Sequence, residues 1–404
     1  MSTIWIEECR TPIYQRIAQA LAHELARNGH QLMLVKPTGF DLASFEAFVA
    51  TPRAGVYLTT NESNAIQMLS RDGVRYFFEL YPGPVVFVHQ DSIIGRGDYA
   101  TVLKKLEAYQ RIKDRSCHLC IEAGNVELLR SVGIEAAQLV AHATEISATE
   151  PRLDGWTEPA SFVGHVLPRM PLDTQLDAAL EQRLQALVEQ RVQTPALRLA
   201  PELQQLSHSA IGWFARRDSQ QLPLAAHTLW LRGQIHQHSL IARGSLLAAA
   251  GLEALTIYGG DPAYLHGVAQ SVRLALPGLH HAPPVYELSA LRQIYAGSAV
   301  SLNITALQFD DALINRFHDV VMAGGLCLTD AKRGLAELTR HHEQVSYRSP
   351  AELAERVAYF ADPRHARERA LLIKSIQQEI AAHATYANLA QAVEHAAAGL
   401  PRLA

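Results

Sequence analysis

The chain is expected to fold as α/β, in two doubly wound parallel-sheet domains, and three observations lead there. Short Val/Ile/Leu-rich runs recur through the first 145 residues with helical stretches between them, the pattern of strands buried on both faces. Beyond a polar segment with two prolines, strand and helix patterns alternate again. With 404 residues, 48% hydrophobic and 19% charged, the chain has material for two cores and is too apolar to be disordered.

The elements follow in order. Thr3–Glu7 is a first strand. Residues 13–28 place apolar groups at helical spacing and stop at Gly29, a natural helix end. Strands follow at Gln31–Val35, 55–59, Val85–His89, 118–122 and 138–141. Residues 146–160, ISATEPRLDGWTEPA, are polar with two prolines and a glycine, and read as a linker. A fresh strand opens at 161–164. The stretch 170–250 then contains only three glycines (Gly212, Gly233, Gly244) and is rich in Leu, Ala, Gln and Arg, so it is helical. Strands at 254–258, 299–303 and 326–329 complete the second alternation, and 351–380 form helices broken at Asp362-Pro363. The expected division is 1–150, 151–385, and a C-terminal helix over 386–404 that packs back on the first domain.

Composition excludes several function classes. The net charge is 36 − 40 = −4, so a whole-protein basic field for nucleic acid is absent. Lys104, Lys105, Arg111, Lys113 and Arg115 form a local basic patch, read as a solvated helix face that leaves room for peripheral membrane contact. No apolar run approaches the ~18 residues of a membrane span, and Glu7 and Glu8 interrupt the amino-terminal apolar residues. A soluble, cytoplasmic protein is expected. Cys117 and Cys120 form a CxxC, but in a strand residues three apart point to opposite faces, and no second pair completes a zinc site. Cys9, Cys117, Cys120 and Cys327 are read as ordinary thiols. The 19 histidines scatter without ligand spacing, so no metal site is expected. The first domain lacks Gly-x-Gly-x-x-Gly, which argues against a dinucleotide site.

Residues 303–330, NITALQFDDALINRFHDVVMAGGLCLTD, carry the densest chemistry. Asp311 and Asp319 are eight residues apart, about 80° around a helix. Asn315 stands four residues from each, and Arg316 follows it. Asp311 is placed to reach a sugar or to cap a helix, Arg316 to pair with a phosphate, and Asp319 to accept ribose hydroxyls. Gly324 and Gly325 offer bare backbone for close approach. A surface helix with ordinary caps and ion pairs shows the same spacing.

This segment resembles the donor-site motif of glycosyltransferases with the GT-B fold, in which Glu-x7-Glu precedes a small-residue AxG turn; both acids here are Asp. It is most similar to the CgeB-type (spore-maturation-like) glycosyltransferases, whose "LN…R.FE…A.GG.LLTD" is matched by Leu302-Asn303, Arg316-Phe317, Asp319, Ala323-Gly324-Gly325 and Leu328-Thr329-Asp330. The likeness continues in residues 343–356, in Asp362-Pro363 and in His383-Ala384-Thr385-Tyr386. Upstream it is carried by Ser161-Phe162-Val163-Gly164 and Ile257-Tyr258-Gly259. It is specific over 285–390, fair from 160 and weak before 150. The resemblance implies two Rossmann-like domains facing a cleft, with the donor in the second and the acceptor on the first. It also implies a nucleotide-diphosphate sugar as donor substrate, no cofactor and no essential bound metal.

Other site candidates follow. Gly164 ends a strand where a phosphate or sugar can approach, and His165 beside it is placed to donate to phosphate. The resemblance puts the Gly259-Gly260 turn near the nucleotide base, with Val285 and Tyr286 offering backbone groups. In the first domain His89 and Asp91, at a strand's carboxyl end before Gly95-Arg96-Gly97, are candidates for the base that an inverting transfer requires. Glu7, Glu8 and Arg10 are rivals. The expected function is transfer of a sugar from a nucleotide-diphosphate sugar to a glycan, lipid-linked or protein acceptor. The alternatives are a catalytically silent GT-B scaffold and a sugar-nucleotide epimerase.

Overall fold

The computed structural model describes residues 2–7, 9, 11–36, 43–44, 47, 55–60, 67–70, 73–93, 99–165, 176–216, 222–252, 254–259 and 279–401. The chain divides into two compact units, Met1–Ala141 with Phe214–Trp230 and Tyr386–Ala404, and His142–Trp213 with Leu231–Thr385.

The first unit is built on strands β1 (Thr3–Glu7), β2 (Gln31–Val35) and β3 (Val56–Thr60). A separate antiparallel pair, β4 (Gln67–Ser70) and β5 (Gly73–Tyr76), precedes β6 (Val85–His89), β7 (Ser116–Cys120) and β8 (Ala137–Leu139). The main sheet is parallel in the order β2-β1-β3-β6-β7-β8. β3, β6 and β7 are buried at every position, which a sheet covered on both faces requires. An aromatic layer on it joins Phe78, Phe87 and Tyr109, with ring centroids 5.0–5.3 Å apart. Helix Tyr386–Ala398 lies against helix Pro12–Arg27, β6 and β7, and Glu394 accepts from Asn28 at 2.8 Å. Segment 214–230 joins this unit through aromatic packing. Phe214 stacks on His227 at 4.1 Å, and Trp230 meets Tyr99 edge-on.

The second unit carries β9 (Glu158–Val163), β10 (Leu255–Tyr258), β11 (Leu279–Ala282), β12 (Ser298–Asn303), β13 (Cys327–Asp330) and β14 (Ser346–Tyr347), parallel in the order β11-β10-β9-β12-β13-β14. Helices Ala178–Gln193, Leu199–Ser209, Ile211–Ala215, Leu224–His236 and Ser239–Ala250 lie in the long helical stretch after β9, of which Phe214–Trp230 belongs to the first unit. The segment read as a linker is not loose. The Thr149 N–H donates to the Met322 carbonyl at 2.9 Å, Gln377 donates to the Thr149 carbonyl, and the Arg369 guanidinium lies 3.7 Å over the Trp156 ring. All four cysteines are buried thiols outside any disulfide, with Cys117 and Cys120 inside β7.

Candidate functional site

In the second sheet the strand order, numbered within the unit, is 3-2-1-4-5-6. Chain direction across the sheet reverses between β9 and β12. Ligands of doubly wound sheets bind beyond the carboxyl ends of the strands at this switch point. The groups found there are Gly164 and His165 after β9, Gly259 after β10, and Asn303 at the end of β12.

Gly259 is required by its backbone: the ends of β9 and β10 lie so close that a Cβ on Gly259, whose φ is +129°, would stand 2.8 Å from the Gly164 carbonyl oxygen. A Cβ on Gly164 would stand 3.0 Å from the Phe162 ring and 3.2 Å from Nη2 of Arg316. Arg316 reaches this point because helix Asn315–Met322 begins beside the end of β12. Its Nη1 donates to Asn303 Oδ1 at 2.9 Å, and its guanidinium lies over the Phe162 ring at 5.4 Å. Asn303 is fully buried and held in turn: its Nδ2 donates to Thr329 Oγ1, and its carbonyl accepts from Tyr347. A second cation comes from helix Ser239–Ala250. Arg243 donates from Nε to the Ile304 carbonyl at 3.2 Å and from Nη1 to the His165 carbonyl at 3.5 Å. Tyr286, 59% exposed, hydrogen-bonds its hydroxyl to His165 Nε2 at 2.9 Å.

The electrostatics agree with this geometry. Burial, then Arg243 and Arg316, push His165 below its ordinary value, so at neutral pH it is an uncharged imidazole. Burial and the neighbouring Arg316 push Arg243 down to about 9, against Asp330 and Tyr347, which hold it up; it remains a cation at neutral pH. Burial alone would raise the Asp330 carboxyl. Lys332, Arg191 and the Thr305 hydrogen bonds outweigh it and hold Asp330 below the usual range. Two guanidinium groups and a helix N-terminus therefore converge on glycine backbone, an arrangement suited to an anion such as a diphosphate.

The structure thus brings together Gly164, His165, Gly259, Tyr286 and Arg316, and Asn315 is the first residue of the helix that carries Arg316. Four other donor-side candidates are engaged by the protein itself. Asp311 does not share a helical face with Asp319, because the helix begins at Asn315; it does not cap that helix either, whose N-cap is Ile314. Its Oδ2 pairs with Arg198 at 3.1 Å. Asp319 is buried, and its Oδ1 accepts from Thr144 Oγ1 at 2.7 Å. Gly324 and Gly325 close the helix's other end, before β13 begins, and serve packing. Gly324 takes φ +83°, and Gly325 leaves room for the Tyr295 carbonyl, 2.5 Å from where a Cβ would stand. Arg243 was missed, although it is the only charged residue between Arg232 and Glu253.

In the first unit His89 is not a surface base. It is fully buried, stacked on Phe87 and His118, with Nε2 bonded to His118 Nδ1 at 2.9 Å. Burial, then His118 and Lys105, push it well below its ordinary value, so it stays neutral. Asp91, one residue past Gln90, is partly exposed. Its Oδ2 accepts from the Tyr14 hydroxyl, and its carbonyl accepts from Asn125 at 2.9 Å. Glu7 is buried at the end of β1. Glu8, Arg10, Gly95-Arg96-Gly97 and Gly260 lie outside the described residues.

Known structures share this architecture. T4 phage BGT in complex with its UDP-glucose substrate is similar over 98% of this chain and 99% of its own, with a TM-score of 0.55 at 9% identity. HepE from Anabaena, in complex with UDP and glucose, is similar over 99% and 100%, with a TM-score of 0.54 at 8% identity. An alpha-glucosyltransferase in complex with UDP and a 13-mer DNA is similar over 98% and 99%, with a TM-score of 0.55 at 9% identity.

The fold is GT-B.

At such identities the likeness concerns the fold alone. Residues 243–395 also match a family described as glycosyl transferase-like, and this GT-B region carries Arg243, Asn303 and Arg316. No curated protein matches the chain.

Proposed function

We propose that the protein is a nucleotide-sugar glycosyltransferase that holds its donor's diphosphate at the carboxyl edge of the second sheet. One observation carries this reading: Arg243 and Arg316 flank the Gly164–His165 backbone at the switch point, beside the N-terminus of helix Asn315–Met322. The glycosyl transferase-like match over 243–395 and the CgeB-type resemblance over 285–390 support it. Tyr286 is placed beside His165 as a platform for the base. In the reaction an acceptor oxygen bonds to the anomeric carbon, the carbon–oxygen bond to the diphosphate breaks, and the acceptor proton passes to a base. The two guanidinium groups offset the charge of the departing diphosphate, so the proposed step needs no metal ion. One of the T4 phage BGT structures contains UDP and Mn2+, so an activity assay with and without EDTA belongs in the test. Asp91, oriented by Tyr14 and Asn125, is the proposed base, which leaves the acceptor to the first unit. The acceptor class we propose is a glycan, a lipid-linked glycan or a protein.

Thermal melts with millimolar UDP, GDP, TDP and ADP test the donor site. Stabilisation by one or more is expected, and no shift with any of them would sink the reading. The engagement of Asp311 by Arg198 and of Asp319 by Thr144 motivates a second reading, a catalytically silent scaffold. Nucleotide release on adding acceptor decides between them.

A further inference from the structure

A cavity of about 250 Å³ opens at the carboxyl ends of β13 and β14, walled in part by Arg198, Asp311, Arg333, His342, Ser346 and Arg348. Its charges do not cancel. Asp310, also on the wall, is engaged by Arg232 at 3.1 Å and by the Leu199 and Ala200 N–H groups. Lys332 directs its ammonium to the Phe309 carbonyl at 2.8 Å and to Asp330 at 3.3 Å. Three guanidinium groups and one carboxylate remain. Asp311 Oδ2 is shared by Arg198 at 3.1 Å and Arg333 at 3.9 Å, while Arg348 meets Glu343 only at 3.6 Å. Arg333 also pairs with Glu337 at 3.2 Å; Glu337 and Glu343 stand outside the wall, and in both pairs arginine and glutamate alike are about half exposed or more, so water screens each pair. On the wall itself positive charge is in excess, beside the hydrogen-bonding groups of His342 and Ser346. β13 and β14 follow β12 in the sheet, so the cavity lies one to two strand spacings from the switch point, about 5–10 Å. That is the distance of one sugar ring.

We propose that this cavity is a subsite for an anionic sugar. The acid group sits among Arg198, Arg333 and Arg348, and the ring lies toward His342 and Ser346. The inference rests on the donor-site reading only in saying which substrate carries the ring; the subsite itself rests on the cavity and its charge. A carboxylate on the donor sugar or on an acceptor glycan would satisfy the same groups.

The test measures binding of free glucuronate, glucose, UDP, UDP-glucuronate and UDP-glucose to the full chain and to Arg348→Ala. Glucuronate should bind and glucose should not. Arg348→Ala should weaken glucuronate by about tenfold or more and leave UDP affinity within about twofold. If the donor carries the acid, UDP-glucuronate exceeds UDP-glucose by a similar factor, and the variant closes the gap. If the acceptor carries it, glucuronate still binds with UDP saturating, and the two nucleotide sugars are equal. Equal binding of acid and neutral sugars in both free and nucleotide-linked forms, or a preference untouched by Arg348→Ala, overturns the subsite. UDP failing to bind while glucuronate binds overturns only the donor reading. Arg348 is exposed, so loss of fold does not confuse the result.

Discussion

Arg316→Ala is the sharpest perturbation of the proposed donor site. Arg316 spends Nη1 on Asn303 at 2.9 Å and directs Nη2 toward Gly164, the backbone that a diphosphate would approach. A hydrogen bond to a charged group contributes about 1.5–3 kcal/mol, so UDP affinity should fall roughly 10- to 150-fold. Part of the loss is compensated at low pH. Arg316 is one of the groups that depress His165. Without it the imidazole protonates more readily and supplies a cation of its own. The affinity loss should therefore be larger at pH 8 than at pH 6, by calorimetry at fixed salt. The truncation also leaves the buried Asn303 Oδ1 without its guanidinium donor, so melting must show that the variant is folded. Arg316→Lys restores a charge without the planar fork and should recover only part of the affinity. A folded Arg316→Ala with UDP affinity within about twofold of the parent at pH 8 would refute the placement of the diphosphate.

Three further outcomes are expected. Gly325→Ala forces a methyl to within 2.5 Å of the Tyr295 carbonyl; it should lower the melting temperature while folded protein keeps its UDP affinity, and unchanged stability would return this glycine to the list of ligand contacts. Asp91→Asn should lower turnover by roughly 10²- to 10⁴-fold with donor binding kept, whereas His89→Ala should act on stability through the cavity it opens among Phe87, Tyr109 and His118; equal turnover in Asp91→Asn would remove it as the base. His318 is held down to about 4 by burial, against a backbone hydrogen bond to Ile314 that raises it. Between that value and the unfolded value near 6.5 the unfolded chain binds the extra proton. Stability is therefore present above about pH 6.5 and is lost as pH falls, by about 2 kcal/mol at pH 5, and urea melts of His318→Gln should show a shallower loss than the parent.

The alternation of strands and helices was legible because both faces of each sheet are covered, so β3, and β6 and β12 up to their last residue, appear as unbroken apolar or small-residue runs. Gly164, His165, Gly259 and Arg316 were legible for a related reason: a strand that ends on glycine marks a carboxyl edge, and resemblance marked the rest. The helical spacing expected of Asp311 and Asp319 does not hold, because it assumed one continuous helix. Residues 304–314 are instead irregular, and Asp311 turns to Arg198, 113 residues away in sequence. Gly324 and Gly325 look the same in sequence whether they admit a ligand or a carbonyl, and only the position of Tyr295 separates the two.

By itself, the sequence determined the two parallel-sheet units, the helical stretch after β9 and the chain positions of the switch-point glycines, because periodicity and glycine placement are local properties. Tertiary structure decided which cations share a site. Arg243 and Arg316 lie 73 residues apart, on helices that come together only when the sheet order brings β12 beside β9. It also decided that His89 faces an aromatic core, since which side of a buried strand meets a neighbouring helix depends on the helix, not on the strand.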